Sequence, residues 1–166
     1  MSKILLLLFT FLLFSCEKKQ SEEPNDQVLE NFSLIDIQGK TYDLDNSLEN
    51  YDYLLLFGFA TWCHWSQKSA PQINRIDSTF SGKLLIIGVE DSTFNNEIII
   101  NQFIENYNFH IPIVIRNNNL VLNYILYPDS ILAFPSFVLI NSKRKIIYRQ
   151  SGYLESTLDS IAKQLN

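Results

Sequence analysis

The sequence predicts an α/β fold of three layers, in which helices cover both faces of a central mixed sheet. The runs Tyr53–Phe59 and Lys83–Glu90 are largely apolar, which is typical of strands buried in a parallel sheet. A segment with helical spacing of its apolar residues follows each run, and such alternation implies crossover connections between parallel strands. Near the carboxyl end, the turn Asn141–Arg144 joins two further strands into an antiparallel pair.

The elements are predicted in the order hairpin, β, α, β, α, β, α, β, β, α. Gly39 lies in the hairpin turn between two segments with alternating apolar residues, Phe32–Ile37 and Thr41–Leu44, and one helical turn follows at Ser47–Asn50. The other strands are predicted at Tyr53–Phe59, Lys83–Glu90, Ile111–Ile115, Ser136–Ile140 and Lys145–Arg149. The other helices are predicted from after Cys63 to about Phe80, at Phe94–Tyr107 and at Leu120–Leu126, with a C-terminal helix whose apolar seam is Leu154, Leu158, Ile161 and Leu165.

The first fifteen residues have the features of a secretory signal. Lys3 precedes the apolar segment Ile4–Phe14, which is too short to span a bilayer stably. The residues around Cys16 resemble a bacterial lipobox, so we expect residues 1–15 to be removed and Cys16 to be lipidated; an ordinary signal peptide with a chance cysteine is the alternative. Residues 17–27 carry no apolar side chain, so residues 16–30 are predicted to tether a domain of residues 31–166 to a membrane of the bacterial cell envelope, facing the periplasm.

Charge and composition exclude several classes of function. The formal net charge is −5, from 13 basic and 18 acidic residues, whereas nucleic-acid binding requires clustered lysine and arginine. The basic cluster Lys143–Lys145 lies between two predicted strands, where a solvated turn is expected. The two histidines and the cysteines are scattered, so neither a metal site nor a cofactor is expected, and His110 is interpreted as structural or solvated.

Cys63 is the residue that offers chemistry. With Cys16 lipidated, Cys63 has no intramolecular disulfide partner. It lies between the strand Tyr53–Phe59 and the helix that follows. There, unpaired amide groups and the positive end of the helix dipole stabilise a thiolate, which is the nucleophilic form of cysteine. A buried, inert cysteine is the alternative.

This region resembles the active-site turn of the thioredoxin superfamily, in particular its TlpA/ResA branch of redoxin lipoproteins. The resemblance is carried by the strand, the pair Trp62-Cys63, the pair Ala70-Pro71, and Phe134-Pro135 far downstream. It implies a thioredoxin-like three-layer sandwich with an added N-terminal hairpin. It also implies a cis-proline at Pro135 that turns the backbone of Phe134 toward a partner chain.

Ser66 is where the chain departs from that family, which normally carries Trp-Cys-x-x-Cys. In two-cysteine sites the second thiolate resolves the mixed disulfide; serine does not, so an adduct on Cys63 has to wait for an external thiol. The buried acid that many thioredoxins carry six residues before the nucleophile is replaced as well, here by Phe57. Ser66 can instead donate a hydrogen bond to the Cys63 thiolate.

Other residues near Cys63 are also candidates. His64 either stabilises the thiolate as an imidazolium or is a solvated residue of the first helical turn. Trp62 and Trp65 are predicted to be surface aromatics that dock a partner beside the sulfur. Glu90 and Asp91 lie at the end of the second strand, at a place where related redoxins have acidic residues near the site.

We therefore expect an exported, membrane-anchored protein that exchanges thiols and disulfides through one cysteine, with protein or small-molecule thiols and disulfides as partners. A redox-inactive thioredoxin-fold binding module of the envelope is the main alternative. A peroxidase is a third interpretation, although the peroxiredoxin threonine three residues before the cysteine is missing, because Thr61 is two before Cys63. A lone exposed thiol in an oxidising compartment also predicts a dimer linked through Cys63.

Overall fold

A computed structural model describes residues 28–91, 97–116, 119–130 and 132–166, with nothing described of the Leu158 side chain. The predicted signal peptide and Cys16 lie outside these ranges. The strands are β1 (Ser33–Ile35), β2 (Thr41–Asp43), β3 (Tyr53–Phe59), β4 (Leu84–Glu90), β5 (Ile113–Ile115), β6 (Ser136–Asn141) and β7 (Ile146–Ser151). The helices are α1 (Leu44–Asn50), α2 (His64–Thr79), α3 (Glu97–Tyr107), α4 (Leu120–Leu126) and α5 (Thr157–Leu165). None of the helices in the described ranges is both long enough and apolar enough to cross a membrane.

The central sheet has five strands in the order β5-β4-β3-β6-β7, and β1 and β2 form a separate antiparallel pair. Strands β3, β4 and β5 run parallel, with Phe59 opposite Glu90 and Glu90 opposite Ile115. Strand β6 runs antiparallel to β3, so that Ser136 lies opposite Gly58 and Asn141 opposite Tyr53. The carboxyl ends of the three parallel strands and the start of β6 therefore meet at one end of the sheet.

Helices cover both faces of this sheet, which confirms the predicted three layers. On one face, Leu55, Phe57 and Phe59 of β3 pack with buried residues of α2, α3 and α5. On the other face, Leu54 and Leu56 pack with buried residues of α1 and α4. The alternation of β3 side chains between two apolar layers explains why its sequence is continuously apolar.

Helix α1 is longer than the single turn expected from the sequence. Asp43 caps it, because its carboxylate accepts a hydrogen bond from the Asn46 amide at 3.2 Å. Leu44 and Ser47 are buried by the helix, so tertiary packing supports a segment that is rich in polar residues. The amide of Leu44 also binds the carbonyl of Phe32, which joins α1 to the strand pair.

Both ends of the packed chain differ from the sequence prediction. Leu29 is 7% exposed, and Val28 forms a bridge with Lys145, so packing begins before residue 31. At the other end, Leu154 is 54% exposed and lies in the turn before α5, so it is not part of the helix seam. That turn is closed by Thr157, whose hydroxyl donates to the Leu154 carbonyl at 2.8 Å.

Candidate active site around Cys63

The turn that carries Cys63 begins where β3 ends, and hydrogen bonds fix it at several points. The amide of Cys63 donates to the Ala60 carbonyl at 3.0 Å, which closes the turn. The Gln67 side chain donates to the Thr61 carbonyl at 2.9 Å, and Thr61 itself is only 6% exposed. The cysteine is therefore presented by a turn that is anchored to both the sheet and α2.

Cys63 is the N-cap residue of α2, the sixteen-residue helix His64–Thr79, and no side chain caps that end. Its carbonyl accepts the first helical hydrogen bond, from the Gln67 amide at 3.0 Å. The first amides of an α-helix have no partner within the helix and carry its positive partial charge. The partly exposed side chain of Cys63 thus lies at the amino-terminal end of α2.

The sulfur of Cys63 also touches the chain before Pro135. Its Sγ lies 3.7 Å from the Phe134 carbonyl oxygen, to which the thiol donates a hydrogen bond. The peptide bond between Phe134 and Pro135 is cis. Three of the residues selected from the sequence, Cys63, Phe134 and Pro135, are thus brought together although about seventy residues separate them.

Ser66, on the first turn of α2, is fully buried. Its hydroxyl oxygen accepts a hydrogen bond from the Ala60 amide at 3.3 Å, so this side chain helps to fix the turn. The sequence suggested a hydrogen bond from Ser66 to Cys63, but the described hydrogen bonds of Ser66 and Cys63 do not include it. The position that a resolving cysteine would fill is therefore occupied by a small hydroxyl group inside the protein.

Two pairs of aromatic rings border Cys63. In the first pair, Trp62 and Phe134 meet edge to face with their centroids 6.0 Å apart. In the second pair, Trp65 stacks on Tyr153 at 5.0 Å with the planes 21° apart. Trp62 and Trp65 are 65% and 47% exposed, so both pairs present apolar surface to solvent.

Two basic side chains lie at the second pair. The ammonium of Lys68 lies 5.3 Å from the Trp65 ring centroid and 4.8 Å from that of Tyr153, which are distances typical of cation–π contacts. Lys68 also forms an ion pair with Glu155 at 3.8 Å. His64 is exposed and contacts the Trp65 ring edge to face at 5.3 Å, so it lies on the solvent side of the first turn.

Glu90 is a buried acid at the carboxyl end of β4, directly beside the turn that carries Cys63. It is fully buried, and its carboxylate accepts from both the amide and the hydroxyl of Thr61 at 3.5 Å. The acidic residue that the resemblance placed near the site thus contacts the residue two before the cysteine. The hydroxyl of Thr61, which stands one position away from the threonine of peroxiredoxins, thus points to Glu90.

Asp91 and Arg116 form an ion pair at the same end of the sheet. Their side chains are 12% and 15% exposed and meet at 2.7 Å. Arg116 also binds the Asn123 side chain of α4 and lies over the Tyr127 ring, 5.4 Å from its centroid. This cation ties the ends of β4 and β5 to helix α4.

Tyr127 connects that ion pair to the segment around Pro135. Its ring meets Phe134 edge to face at 6.0 Å, and its hydroxyl accepts a hydrogen bond from Ser136 at 3.4 Å. Burial raises the pKa of Tyr127 to about 12, although the hydrogen bond from Ser136 acts in the opposite direction. The two hydroxyls fill the space beside Gly58, where an added Cβ would lie 2.2 Å from Ser136 Oγ.

Among the described residues, no group of three or more His, Cys, Asp or Glu side chains is placed to hold a metal ion. His110 is exposed near the opposite end of the sheet, beside Asp77. Burial raises the pKa of the Asp77 carboxyl, and the charge of His110 opposes this shift.

Comparison with known proteins identifies the fold. No protein-family model and no curated protein sequence matches the chain. Solved structures do match, among them the thioredoxin domain of a thiol-disulfide oxidoreductase from Bacteroides vulgatus. Its TM-score is 0.66 at 21% identity, covering 84% of this chain and 96% of that one. This chain has the thioredoxin fold.

Two further solved structures with the thioredoxin fold come from other bacteria. The exposed lipoprotein thioredoxin Etrx1 of Streptococcus pneumoniae has a TM-score of 0.64 at 18% identity, covering 82% of this chain and 98% of that one. StoA of Bacillus subtilis has the same TM-score and identity, covering 82% of this chain and 97% of that one. The thioredoxin-like fold expected from Trp62-Cys63 and Pro135 is thus confirmed.

Sequence reasoning missed Tyr153, Tyr127 and Arg116. Tyr153 follows Gly152, whose amide donates to the Pro135 carbonyl at 2.8 Å and whose φ is 83°, in the left-handed region that favours glycine. That glycine, three residues after the last predicted strand and directly after β7, was the one signal that the next residue turns back toward the site. Nothing local in the sequence marks Tyr127 or Arg116.

Proposed function

We propose that the protein exchanges thiols and disulfides through Cys63 alone. One observation carries the proposal: a partly exposed cysteine caps α2 at the carboxyl end of the central strand, with its Sγ 3.7 Å from the carbonyl before Pro135. The amino-terminal end of a helix favours a thiolate in general, and the backbone of Phe134 lies next to the sulfur, as a docking site for an extended partner chain requires. Thiolate character and access are the two properties that make a cysteine reactive.

The exchange has two steps. The Cys63 thiolate attacks one sulfur of a partner disulfide; an Sγ–S bond forms, the partner's S–S bond breaks, and its other sulfur leaves as a thiolate. Ser66 provides no second thiol, so an external thiolate then attacks the partner's sulfur in the mixed disulfide. That attack forms a new disulfide and releases Cys63 as a thiolate, so Cys63 undergoes no net oxidation.

The comparisons support this type of chemistry and a place in the cell envelope. The Bacteroides vulgatus domain belongs to a thiol-disulfide oxidoreductase, and Etrx1 is an exposed lipoprotein. For this chain, the apolar segment before Cys16 and the polar residues after it favour export and lipid anchoring. We propose that the domain works on the periplasmic side of a membrane, held there by Cys16.

Intact-mass spectrometry tests the exchange step. The full chain carrying Cys16→Ser has Cys63 as its single thiol. After reduction, it is mixed with a peptide that contains one disulfide and quenched with acid. We expect one peptide bound per chain, removed by dithiothreitol, and no adduct when Cys63→Ser is added as the matched control. The proposal is wrong if no adduct forms while iodoacetamide still alkylates Cys63, because the thiol would then be accessible but unable to exchange.

A binding module without redox activity is the second candidate function. It is favoured by Ser66, which fills the second position of the motif with a fully buried hydroxyl bound to the Ala60 amide. In that case the aromatic surface around Cys63 would hold a partner without a covalent step. A partner that binds the parent chain and its Cys63→Ala variant with equal affinity would favour this function over exchange.

A further inference from the structure

A cavity lies at the end of the domain away from Cys63. Its volume is about 470 Å³, which falls within the range of about 300–1,000 Å³ typical of small-molecule sites. Strand β2, helix α1, the end of α2, the start of β4 and the chain before β5 border it. Asp77, near the end of α2, is separated from Cys63 at its start by about 20 Å of helix. A ligand in this cavity would therefore not touch the cysteine.

Most of the side chains that line the cavity are able to form hydrogen bonds. Within the part of the chain that the structure describes, the Asp77 carboxylate, the Asn46 carboxamide and the Tyr51 hydroxyl have no hydrogen-bond partner. Burial raises the pKa of Asp77, because it removes water from the carboxyl group. The Asn50 side chain donates to the Asn46 carbonyl at 2.8 Å, which leaves its own oxygen as an acceptor. The fold thus presents polar groups here that it does not itself satisfy.

The charges of the lining favour a neutral ligand. Lys40 and Asp77 carry opposite charges, and His110, the remaining basic side chain, is exposed. An anion would be attracted by Lys40 and repelled by Asp77, and a cation would meet the reverse. Hydroxyl and carboxamide groups both donate and accept hydrogen bonds, as the hydroxyl groups of a sugar do. Ile111 and Pro112 add apolar surface, against which the C–H face of a sugar ring can pack.

We propose that this cavity binds a sugar. The hydroxyl groups of the ligand bond to Asp77, Asn46 and Tyr51, and its ring lies against the apolar side chains before β5. The proposal does not depend on thiol exchange, because it uses none of the residues around Cys63. A free saccharide and one unit of a polysaccharide strand offer the same hydroxyl groups, so the experiment compares a monosaccharide with its oligomer.

Nuclear magnetic resonance measures this binding and locates it. The full chain carrying Cys16→Ser is isotopically labelled on nitrogen and titrated separately with N-acetylglucosamine, its trimer chitotriose, and maltotriose. Glycylglycine tests a zwitterion, and inorganic phosphate tests an anion. The backbone amides of Ser81 and Gly82, at the cavity, report local binding. The indole groups of Trp62 and Trp65 report the Cys63 end of the domain.

We expect at least one of the sugars to shift the amide signals of Ser81 and Gly82 in a saturable manner, with both indole signals unchanged. Asp77→Ala removes a charged acceptor and should raise the dissociation constant at least about tenfold. Asn46→Ala should raise it about fivefold. Asn101→Ala, which removes an exposed asparagine from helix α3 outside the cavity, is the matched control and should not change it. The same spectra show whether each variant is folded.

The remaining outcomes either narrow the proposal or overturn it. Tighter binding of chitotriose than of N-acetylglucosamine would support a polysaccharide strand as the source of the sugar, and equal binding would support a free saccharide. No saturable shift with any sugar would overturn the proposal. So would tighter binding of glycylglycine or phosphate than of every sugar, or shifts confined to the Trp62 and Trp65 indoles. Folded Asp77→Ala and Asn46→Ala variants that bind as tightly as the parent would also overturn it, because binding would then not depend on the cavity.

Discussion

Gly58→Ala tests the packing that supports the segment beside Cys63. Gly58 lies on β3 opposite Ser136, the residue after Pro135. A Cβ at this position would lie 2.2 Å from Ser136 Oγ and 2.8 Å from the Tyr127 hydroxyl oxygen. Real Cβ atoms do not approach this closely, so the two hydroxyls, which are hydrogen-bonded to each other at 3.4 Å, must separate or move.

The expected change in the free energy of unfolding combines two destabilising effects and one stabilising effect. Overpacking a core by one carbon atom costs about 1–3 kcal/mol. Disrupting the hydrogen bond between Ser136 and Tyr127 costs about 1 kcal/mol more. Replacing glycine by alanine restricts the unfolded chain, which stabilises the folded state by about 0.5 kcal/mol. We expect Gly58→Ala to reduce the free energy of unfolding by about 2.5 kcal/mol, a large share of the ~5–15 kcal/mol typical of a domain.

Urea unfolding followed by far-ultraviolet circular dichroism measures this change. Tryptophan fluorescence is a poorer probe here, because both tryptophans are already largely exposed in the folded state. Gly88→Ala on the neighbouring strand is the matched control. Its Cβ would meet its nearest atom, in the Phe59 ring, at 3.1 Å, so we expect a smaller loss.

A double-mutant cycle assigns the loss to the proposed contact. Ser136→Ala removes the atom closest to the added methyl group. We therefore expect the double variant with Gly58→Ala to be about 1 kcal/mol more stable than the sum of the single effects predicts. Additive effects, or a Gly58→Ala variant as stable as the parent, would show that the space beside Gly58 is not filled by these hydroxyls.

Four other predictions concern separate features of the protein. Burial raises the pKa of Tyr127 to about 12 from 10.0. The stabilisation of its neutral form is complete below pH 10 and is lost as the pH rises to 12; Tyr127→Phe should remove about 2 kcal/mol of this dependence, measured by urea unfolding at pH 9 and pH 12. Ser66→Cys should supply the missing resolving thiol, so that peptide adducts on Cys63 no longer accumulate in intact-mass spectra; persistent adducts would contradict this. Arg116→Met leaves a nearly buried carboxylate unpaired and should cost about 3 kcal/mol in urea unfolding, with partial recovery in Arg116→Lys. Cys16→Ser should move the protein from the membrane to the soluble fraction of disrupted cells, and unchanged fractionation would refute anchoring at that residue.

The fold was predictable because its signals are local. The apolar run of β3, the capping asparagine before α4 and the turn of the last hairpin each determine their own element. Helix α1 was underestimated because its stability comes from Leu44, which is buried against distant chain. A sequence pattern reflects the local spacing of apolar residues, whereas the packing of a helix depends on residues that are distant in the sequence.

The site was predictable only where a motif spans it. Cys63 was found from its position between a strand and a helix, Pro135 was found through the resemblance, and the structure brings their segments into contact. The stacking of Trp65 on Tyr153 joins a helix start to a loop far along the chain, and no spacing rule connects the two. Arg116 is similar, because its role depends on where α4 places Asn123. Such contacts form only when the folded sheet brings distant segments together at one of its ends.

The bridge between Val28 and Lys145 places the first described residue at the end of the sheet opposite Cys63. Lys145 lies at the β6–β7 turn, and β6 starts beside Cys63 and ends at that turn. Six strand residues separate the two ends, which corresponds to about 20 Å. With the anchoring proposed above, Cys63 would lie at the end of the sheet away from the segment that leads to Cys16.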